Sequence, residues 1–147
     1  MILLTDVNLL LYAYNAGAPQ HSAARRWLER SIAGTDLFAL SWQTIIGFIR
    51  IGTNHRALQQ PFSLQEATQI VNEWLEQESV TILVPGSKHW SILTEFLING
   101  QARGPLAMDA HLAALSVEHG ATLCTTDKDF SRFNGLKTLN PLTREQP

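Results

Sequence analysis

Short apolar runs alternate with helix-patterned segments along this 147-residue chain. Within the runs, apolar residues follow one another without a polar residue at every second position, which is typical of strands buried on both faces of a sheet. The runs are ILL (2–4), LFALS (37–41), VTILV (80–84), TLCTTD (122–127) and LKTL (136–139). Because helices separate the runs, the strands are expected to pair in parallel through crossover connections. The sequence therefore predicts an α/β fold, a three-layer sandwich with a short, mainly parallel central sheet.

The segments between the strands carry helix signals. The clearest starts at Ser63, which forms a capping-box pattern with Glu66, and continues as an apolar stripe to about Glu78. A late helix is predicted over PLAMDAHLAALSVEHG (105–120), with proline in its first turn and glycine at its C-cap. Further helical segments are predicted around residues 9–12, 24–32, 42–52, 89–98 and 128–133.

The composition is that of one folded domain, here residues 1–147. Hydrophobic residues make up 45% and charged residues 16% of the chain, which indicates a globular protein rather than a disordered segment. No apolar run approaches the roughly 20 residues that span a bilayer, and the start lacks a signal-peptide pattern. Cys124 is the single cysteine, so no intrachain disulfide can form. We therefore expect a cytoplasmic protein without a membrane partner.

The formal net charge of −2 does not by itself indicate a polyanion partner, since proteins that bind by neutralising phosphates are usually basic. Cations held by a group of acids would offset those acids, however, and arginines would then form a local basic rim. Scattered surface charge is the equally simple alternative. The candidates for the rim are Arg25, Arg26, Arg30, Arg50, Arg56 and Arg103.

Two predicted strands end in the same way, with Thr5-Asp6 and Thr126-Asp127. If both strands are parallel, the two aspartates emerge at the same edge of the sheet, where open α/β sheets bind ligands. A third acid, Asp109, lies beside the apolar stripe of the late helix, so it flanks the core. Converging carboxylates would raise each other's pKa unless divalent cations lie among them, and oxygen ligands favour Mg²⁺ or Mn²⁺ over zinc.

Each acid also has a purely structural alternative. Asp6 and Asp127 both precede helical segments, where an aspartate is a common N-cap. A helical carboxylate such as Asp109, beside a core stripe, gains nothing as a cap. The histidines do not fall at zinc-ligand spacing, and His111 is expected to contact substrate or to pack rather than to bind metal.

Three segments together resemble the motifs of PIN-domain ribonucleases, especially the VapC toxins of type II toxin–antitoxin pairs. They are LLTDVNLLLYA (3–13), MDAHLAAL (108–115) and GATLCTTDKDF (120–130), in the family's order and spacing. The resemblance implies a metal-dependent endoribonuclease that hydrolyses RNA phosphodiester bonds. It also implies a homodimer and a cognate antitoxin whose C-terminal segment lies over the site.

By motif match, Asp6, Asp109 and Asp127 are carried over as the catalytic, metal-binding acids for Mg²⁺, with Mn²⁺ as a possible substitute. Asp6 and Asp109 are expected to bind the principal ion, and Asp127 a second ion or a water. Asp129 is a neighbouring candidate. Asn8 either hydrogen-bonds within this site or caps the helix that it begins.

The sequence departs from the family at one position. SWQTIIGFIR (41–50) keeps Ser41 and Thr44 of the family's S-x-x-T-x-x-E pattern, but Gly47 stands where the glutamate belongs. A mid-helix glycine costs about 1 kcal/mol relative to alanine, so something other than helix stability favours it, and close backbone packing is the simple account. A branch of the family with W-x-x-x-x-G-F-x-R resembles this pattern, and there Arg50 and the following TNHR are candidates for RNA contact.

Other interpretations stay open. The absent glutamate favours, as the alternative function, a catalytically weakened PIN-fold module that binds RNA or assembles with partners. A phosphotransferase of haloacid-dehalogenase type would need a second acid at Asn8, and a receiver domain would need a late lysine strand that the chain lacks. One or two tryptophans are candidates for an interface, although core packing is the default for each: Trp27, Trp42, Trp74 and Trp90.

Overall fold

The strands form where the sequence places unbroken apolar runs, and each is short. A computed structural model of the protein describes residues 1–144. Its strands are β1 (Ile2–Thr5), β2 (Leu37–Leu40), β3 (Val80–Ile82), β4 (Thr122–Cys124) and β5 (Thr138–Leu139). The helices are α1 (Val7–Tyr14), α2 (His21–Ala33), α3 (Trp42–Gly52), α4 (Leu64–Leu75), α5 (His89–Asn99) and α6 (Leu106–Glu118). Short 3₁₀ helices follow at Lys128–Arg132 and Pro141–Arg144.

All five strands pair in parallel, in the order β3-β2-β1-β4-β5. The central strand is β1, in which Leu4 is paired with Ala39 on one side and Leu123 on the other. All three side chains are fully buried. The predicted α/β sandwich with a parallel sheet is confirmed, and within the described residues the sheet is wholly parallel.

The sheet separates two apolar cores. On one face the helices from the first half of the chain, α1 to α4, pack over residues such as Leu3 and Phe38. On the other face α5 and α6 pack over Leu4, Ala39 and Leu123. Because successive residues of a strand point to opposite faces, Leu3 and Leu4 fall into different cores, which explains the unbroken apolar pattern of β1.

Four strands are shorter than the predicted runs, by one residue in β2, two in β3, three in β4 and two in β5. After β3, Leu83 still donates its N–H to the Leu40 carbonyl, at 2.9 Å, although the regular pairing has ended. After β4, the chain turns at Thr125, whose hydroxyl accepts a hydrogen bond from the Asp127 N–H at 3.0 Å. The predicted strand 122–127 therefore ends at Cys124, because this turn re-aims the residues that follow.

The structure confirms the predicted capping box of α4 and the predicted glycine at the end of α6. Ser63 and Glu66 form both hydrogen bonds of the capping box, at 3.0 and 2.8 Å. Gly120 follows α6 with φ +65°, a left-handed conformation that glycine adopts without steric cost. None of the helices within residues 1–144 is long and apolar enough to cross a membrane.

An aromatic cluster fixes α1, α3 and α4 against one another. The Trp74 indole N–H donates to the Tyr14 hydroxyl at 2.9 Å, and the rings of Tyr14, Phe48 and Trp74 pack edge to face with centroids 4.9–5.8 Å apart. Trp27 is also buried, whereas Trp42 and Trp90 are 54% and 69% exposed. Two tryptophans thus belong to the core, and two are available at the surface.

Candidate active site

The sheet order creates a crevice between β1 and β4. The chain adds β2 and β3 on one side of β1 and then returns to place β4 on the other side. The connections after β1 and β4 therefore leave in different directions, and such a switch point is where open α/β sheets bind ligands. Asp6 follows β1 and Thr125 follows β4, so both emerge at this crevice.

Asp6 is held in place from three directions. Its carboxylate accepts hydrogen bonds from the Val7 N–H at 2.8 Å and from the Thr125 hydroxyl at 2.7 Å, and its own N–H donates to the Cys124 carbonyl at 3.0 Å. Asp6 is the N-cap of α1, as the structural alternative proposed. It is only 8% exposed, and burial raises its pKa although the hydrogen bonds from Thr125 and Val7 oppose that shift. Capping alone does not require this degree of burial.

Asp109 reaches the same crevice from the first turn of α6. Its pKa is raised to about 6, first by burial and then by the negative charges of Asp6, Asp127 and Asp129, while Arg132 lowers it. The prediction that this acid flanks the core is confirmed, since it is half-buried beside the buried Ala110. The structure thus gathers acids from β1, α6 and the end of β4 without enough positive charge to balance them.

Asp127 has a structural role that the sequence left open. Its carboxylate accepts the Asp129 N–H at 2.9 Å and so caps the 3₁₀ helix. It is nevertheless close enough to Asp6 and Asp109 to raise the pKa of both. Asp129 is exposed and acts on Asp109 in the same direction.

A groove of about 230 Å³ runs between α3 and α6 over the end of β1. Asp6 and Asp109 both line it, whereas Asp127 does not. The remaining lining residues are Val7, Gln43, Thr44, Gly47, Arg50, Ile51, Met108 and Leu112. We call this the acid groove.

The acid groove offers oxygen ligands suited to a hydrated divalent ion. Within residues 1–144, no three His, Cys, Asp or Glu side chains converge into a ready-made metal site. Mg²⁺, however, is commonly held by one or two carboxylates, with waters and substrate phosphates completing its shell. The amide oxygen of Gln43 is buried in the groove without a hydrogen-bond partner among the described residues, so it can accept a hydrogen bond from such a water. Asp6 and Asp109 fit this arrangement best.

Of the predicted arginines and Asn8, one residue lines the acid groove and the others do not. Of the six arginines proposed for a basic rim, only Arg50 lines the acid groove. Arg25 instead pairs with Glu29 at 3.0 Å and lies over the Tyr14 ring. Asn8, in the first turn of α1, does not line the groove, and its side chain makes no hydrogen bond within residues 1–144.

His111 points away from the acid groove. It lies two positions after Asp109 in α6, which rotates it by about 200° around the helix axis. Its Nδ1 lies 3.0 Å from Nε2 of His89 on α5, and burial and the charge of His89 lower its pKa. Packing, the alternative that the sequence left open, describes its surroundings better than substrate contact.

Gly47 faces the acid groove, and packing does not require a glycine there. A Cβ added to Gly47 would meet Val7 Cγ2 at 3.5 Å and Val7 Cβ at 4.0 Å, which are ordinary van der Waals distances. Close backbone packing, the simple account of this residue, is therefore wrong. The helix around it is well anchored, because Ser41 caps α3 by accepting the Thr44 N–H at 3.1 Å.

Sequence reasoning missed three residues of this region. Thr125, which orients Asp6, and Arg132, which is near Asp109, both lie next to the recognised TTDKD segment. Their nearness to a conspicuous acid pair was the available signal. Gln43 carried no such signal, because its orientation depends on how α3 packs.

The parallel sheet and its acid groove define an α/β protein with a candidate ligand site at the sheet's switch point. A PIN-domain family profile matches residues 3–136, and the chain belongs to the PIN-domain family. It is 36% identical over 141 residues to Ribonuclease VapC33 of Mycobacterium tuberculosis, covering 96% of this chain and 99% of that protein. It is 34% identical over 138 residues to Ribonuclease VapC37 of the same species, covering 94% and 96%. The resemblance to PIN-domain VapC proteins is thereby confirmed.

Solved structures share the fold. VapBC-1 from nontypeable Haemophilus influenzae matches with a TM-score of 0.69 at 18% identity, over 96% of this chain and 98% of that chain. VapBC2 from Rickettsia felis, bound to a DNA fragment from its promoter, matches with a TM-score of 0.66 at 19% identity, over 95% and 98%. VapC20 of M. tuberculosis, a toxin that cleaves the sarcin–ricin loop, matches with a TM-score of 0.66 at 18% identity, over 88% and 92%.

Proposed function

We propose that the chain is a divalent-metal-dependent endoribonuclease, acting as one domain and as the toxin of a toxin–antitoxin pair. The observation that carries the proposal is the acid groove, in which Asp6 and Asp109 meet at the switch point of a PIN-domain sheet. The names of the relatives, which are ribonucleases, support RNA as the substrate.

We propose Asp6 and Asp109 as the residues that hold Mg²⁺, with Mn²⁺ as a substitute. When bound, the ion would lower the pKa of an attacking water and neutralise charge that develops on the phosphate oxygens. Asp6 would hold its position without rearrangement, because the Val7 N–H and the Thr125 hydroxyl already orient its carboxylate. Asp109 would gain most from a cation, because burial and, after it, the neighbouring acids raise its pKa.

In the proposed reaction, water attacks phosphorus and the bond to the 3′ oxygen breaks. The products are a 5′-phosphate and a 3′-hydroxyl: the attacking water loses one proton, and the leaving 3′ oxygen takes up one proton, directly or through solvent. Arg50 is placed to contact the RNA backbone, because it lines the same groove. In this proposal Asp127 either adds negative charge beside Asp6 and Asp109 or binds a second metal ion. Asp129 contributes only its negative charge, which acts on Asp109.

The partners follow from the structural relatives, which were solved as VapBC complexes. We propose a cognate antitoxin and a homodimer for this chain, acting on RNA in the cytoplasm. Exposed apolar side chains are available for such contacts, among them Trp42, Ile46, Trp90 and Ile98.

The test is cleavage of RNA by the purified chain with Mg²⁺ or Mn²⁺, and again after EDTA. Cleavage that EDTA abolishes, and that Asp6→Ala and Asp109→Ala both lack, is the expected result. A variant that cut RNA at the wild-type rate would remove that acid from the mechanism. Binding without cleavage under every metal condition would favour the alternative, an RNA-binding or assembly module weakened by Gly47.

A further inference from the structure

Helix α3 presents one continuous stripe to the acid groove. Gln43, Gly47 and Ile51 are spaced four residues apart, so they lie above one another on one face, and Arg50 lies beside them. All four line the groove opposite Asp6 and Asp109. The groove therefore has an acidic wall and a wall that carries one cation.

The two glycines of α3 differ in what surrounds them. A Cβ on Gly52 would approach Phe62 Cδ2 to 3.0 Å, so packing favours glycine there. A Cβ on Gly47 would make only ordinary contacts with Val7, at 3.5 Å from Cγ2 and 4.0 Å from Cβ. Glycine in a helix interior is less favourable than alanine, and packing does not require it at position 47. The visible consequence of the missing side chain is that the groove extends down to the helix backbone at Gly47.

Arg50 follows about one turn later and lines the same groove as Gly47. Its side chain is exposed and makes no ion pair or hydrogen bond with another residue of the described chain, 1–144. A guanidinium presents donors in a fork that matches phosphate oxygens. An anion between the walls would have the arginine on one side and, on the other, acids that bear a cation.

We propose that the space over Gly47 is a phosphate subsite, in which Arg50 donates hydrogen bonds to a phosphodiester of single-stranded RNA. The absence of a side chain at position 47 lets the phosphate approach the helix, and Arg50 then fixes it beside Asp6 and Asp109. This inference rests on the proposed function only in that the anion is an RNA phosphate.

The experiment measures binding without cleavage. A fluorescent single-stranded RNA oligonucleotide is titrated by anisotropy against the Asp109→Asn protein in Mg²⁺, at several salt concentrations. Gly47→Ala, Arg50→Gln, their combination and Gly52→Ala are each added to that protein, and the melting temperature of every variant is recorded. Lys137→Gln is the charge control, because Lys137 is exposed before β5, at the opposite edge of the sheet.

Gly47→Ala is expected to raise the melting temperature by about 3 °C, yet to weaken RNA binding about tenfold, the size of one lost charged hydrogen bond. Arg50→Gln should weaken binding to a similar degree and make the slope of log K against log salt shallower by about 0.7, as for one phosphate contact on a single strand. The combined variant should bind no more weakly than Arg50→Gln alone. Gly52→Ala should lower the melting temperature and leave RNA affinity unchanged.

Three results would overturn the subsite: unchanged RNA affinity in Gly47→Ala, additive losses in the combined variant, or an equal loss in Lys137→Gln. Gly47→Glu gives a further check, since it should weaken RNA binding. If in the protein with native Asp109 it instead increased Mg²⁺-dependent cleavage, position 47 would be a vacant acid position and the subsite would fail.

The source of the phosphate is tested with inorganic phosphate. If millimolar phosphate competes only weakly while RNA binds tightly, the result supports an RNA phosphodiester as the ligand. If the protein binds phosphate in a manner that depends on Gly47 but does not bind RNA, the RNA subsite is overturned.

The proposed subsite and the proposed nuclease activity can fail separately. RNA binding that depends on Gly47 and Arg50, without cleavage by the native chain, retains the subsite and rejects the nuclease. RNA cleavage that neither the Gly47 nor the Arg50 substitution affects would retain the nuclease and reject the subsite.

Discussion

Helix α6 carries two polar clusters on opposite sides, and they differ in how far the protein satisfies them. Asp109 faces the acid groove, where burial and the surrounding acids raise its pKa to about 6. His111, two residues later, hydrogen-bonds to His89 at 3.0 Å. Beyond His89, the Glu118 carboxylate accepts the N–H groups of Gly86 and Lys88, at 2.9 and 3.1 Å. We call His89, His111 and Glu118 the histidine cluster.

The difference separates a structural cluster from a candidate site. In the histidine cluster, every buried side-chain nitrogen or oxygen has a partner among the described residues except His89 Nδ1, which faces Glu118 Oε1 at 3.6 Å. In the acid groove the carboxylates repel one another and the Gln43 oxygen lacks a partner among residues 1–144. A cluster of polar side chains does not by itself indicate a functional site. Carboxylates that lack a neutralising cation, and a buried oxygen that lacks a donor, are the better indication.

The largest expected effect is on catalysis. Asp109→Asn should reduce RNA cleavage by about a hundredfold or more, since it removes a carboxylate proposed to bind the metal. The melting temperature at pH 7 should stay equal to that of the native chain or rise, because a repelled charge is removed. Initial rates on a labelled RNA in Mg²⁺, with thermal unfolding of the same samples, check both. Cleavage retained by Asp109→Asn would show that this carboxylate is not needed for the reaction.

The second effect is on stability and concerns the histidine cluster. His89→Phe should lower the free energy of unfolding by about 1–2 kcal/mol, since it leaves buried polar partners unpaired. The value of kcat on RNA should not change. Urea denaturation and cleavage kinetics measure the two quantities. A large fall in kcat without loss of stability would show that this cluster takes part in the reaction.

The third effect is a pH dependence of metal binding. The raised pKa of Asp109 means that its stabilising contribution is full below its ordinary value of 3.8 and is lost as pH rises through about 6. Mg²⁺ should therefore raise the melting temperature of the EDTA-treated protein at pH 7.5 and have little effect at pH 5. Asp109→Asn should abolish the difference between the two pH values. An equal Mg²⁺ effect at both, in native protein, would contradict this assignment.

The smallest effect concerns Glu118. The hydrogen bond from the Gly86 N–H is the largest influence lowering its pKa, followed by partly opposing desolvation and the Lys88 N–H. The contribution of Glu118 to the free energy of unfolding is thus fully present above its ordinary pKa of 4.5, and it is lost as the pH falls through the lowered pKa. Glu118→Gln should lower the melting temperature slightly at pH 7, and the difference from the native chain should shrink in acid. A difference that grew in acid would exclude this role.

Much of the fold was predictable because its signals are local. Buried strands, the capping box at Ser63 and the glycine after α6 depend on neighbours in the chain, and the structure reproduces them. The acids at the strand ends were recognisable for the same reason. The structural and chemical interpretations of these acids were not exclusive, since Asp6 and Asp127 cap helices and also lie close enough to Asp109 to raise its pKa.

The parts that could not be predicted depend on which surfaces meet. Gly47 drew attention as a departure from a motif, yet only the distance to Val7 excludes close packing as its cause. Likewise, the sequence left open whether His111 contacts substrate or packs within the protein. The position of α5 decides that His111 meets His89 and that Asp109 is left to the groove.

Local sequence patterns were sufficient to identify the candidate functional residues and the elements that carry them, because helix and strand periods and caps are encoded over a few neighbouring positions. The strand order was decided only in three dimensions. Because β4 lies beside β1, the Thr125 hydroxyl donates a hydrogen bond to the Asp6 carboxylate, although the two residues are 119 positions apart in the chain. That contact is non-local, and it arises because both faces of the sheet must be buried at once.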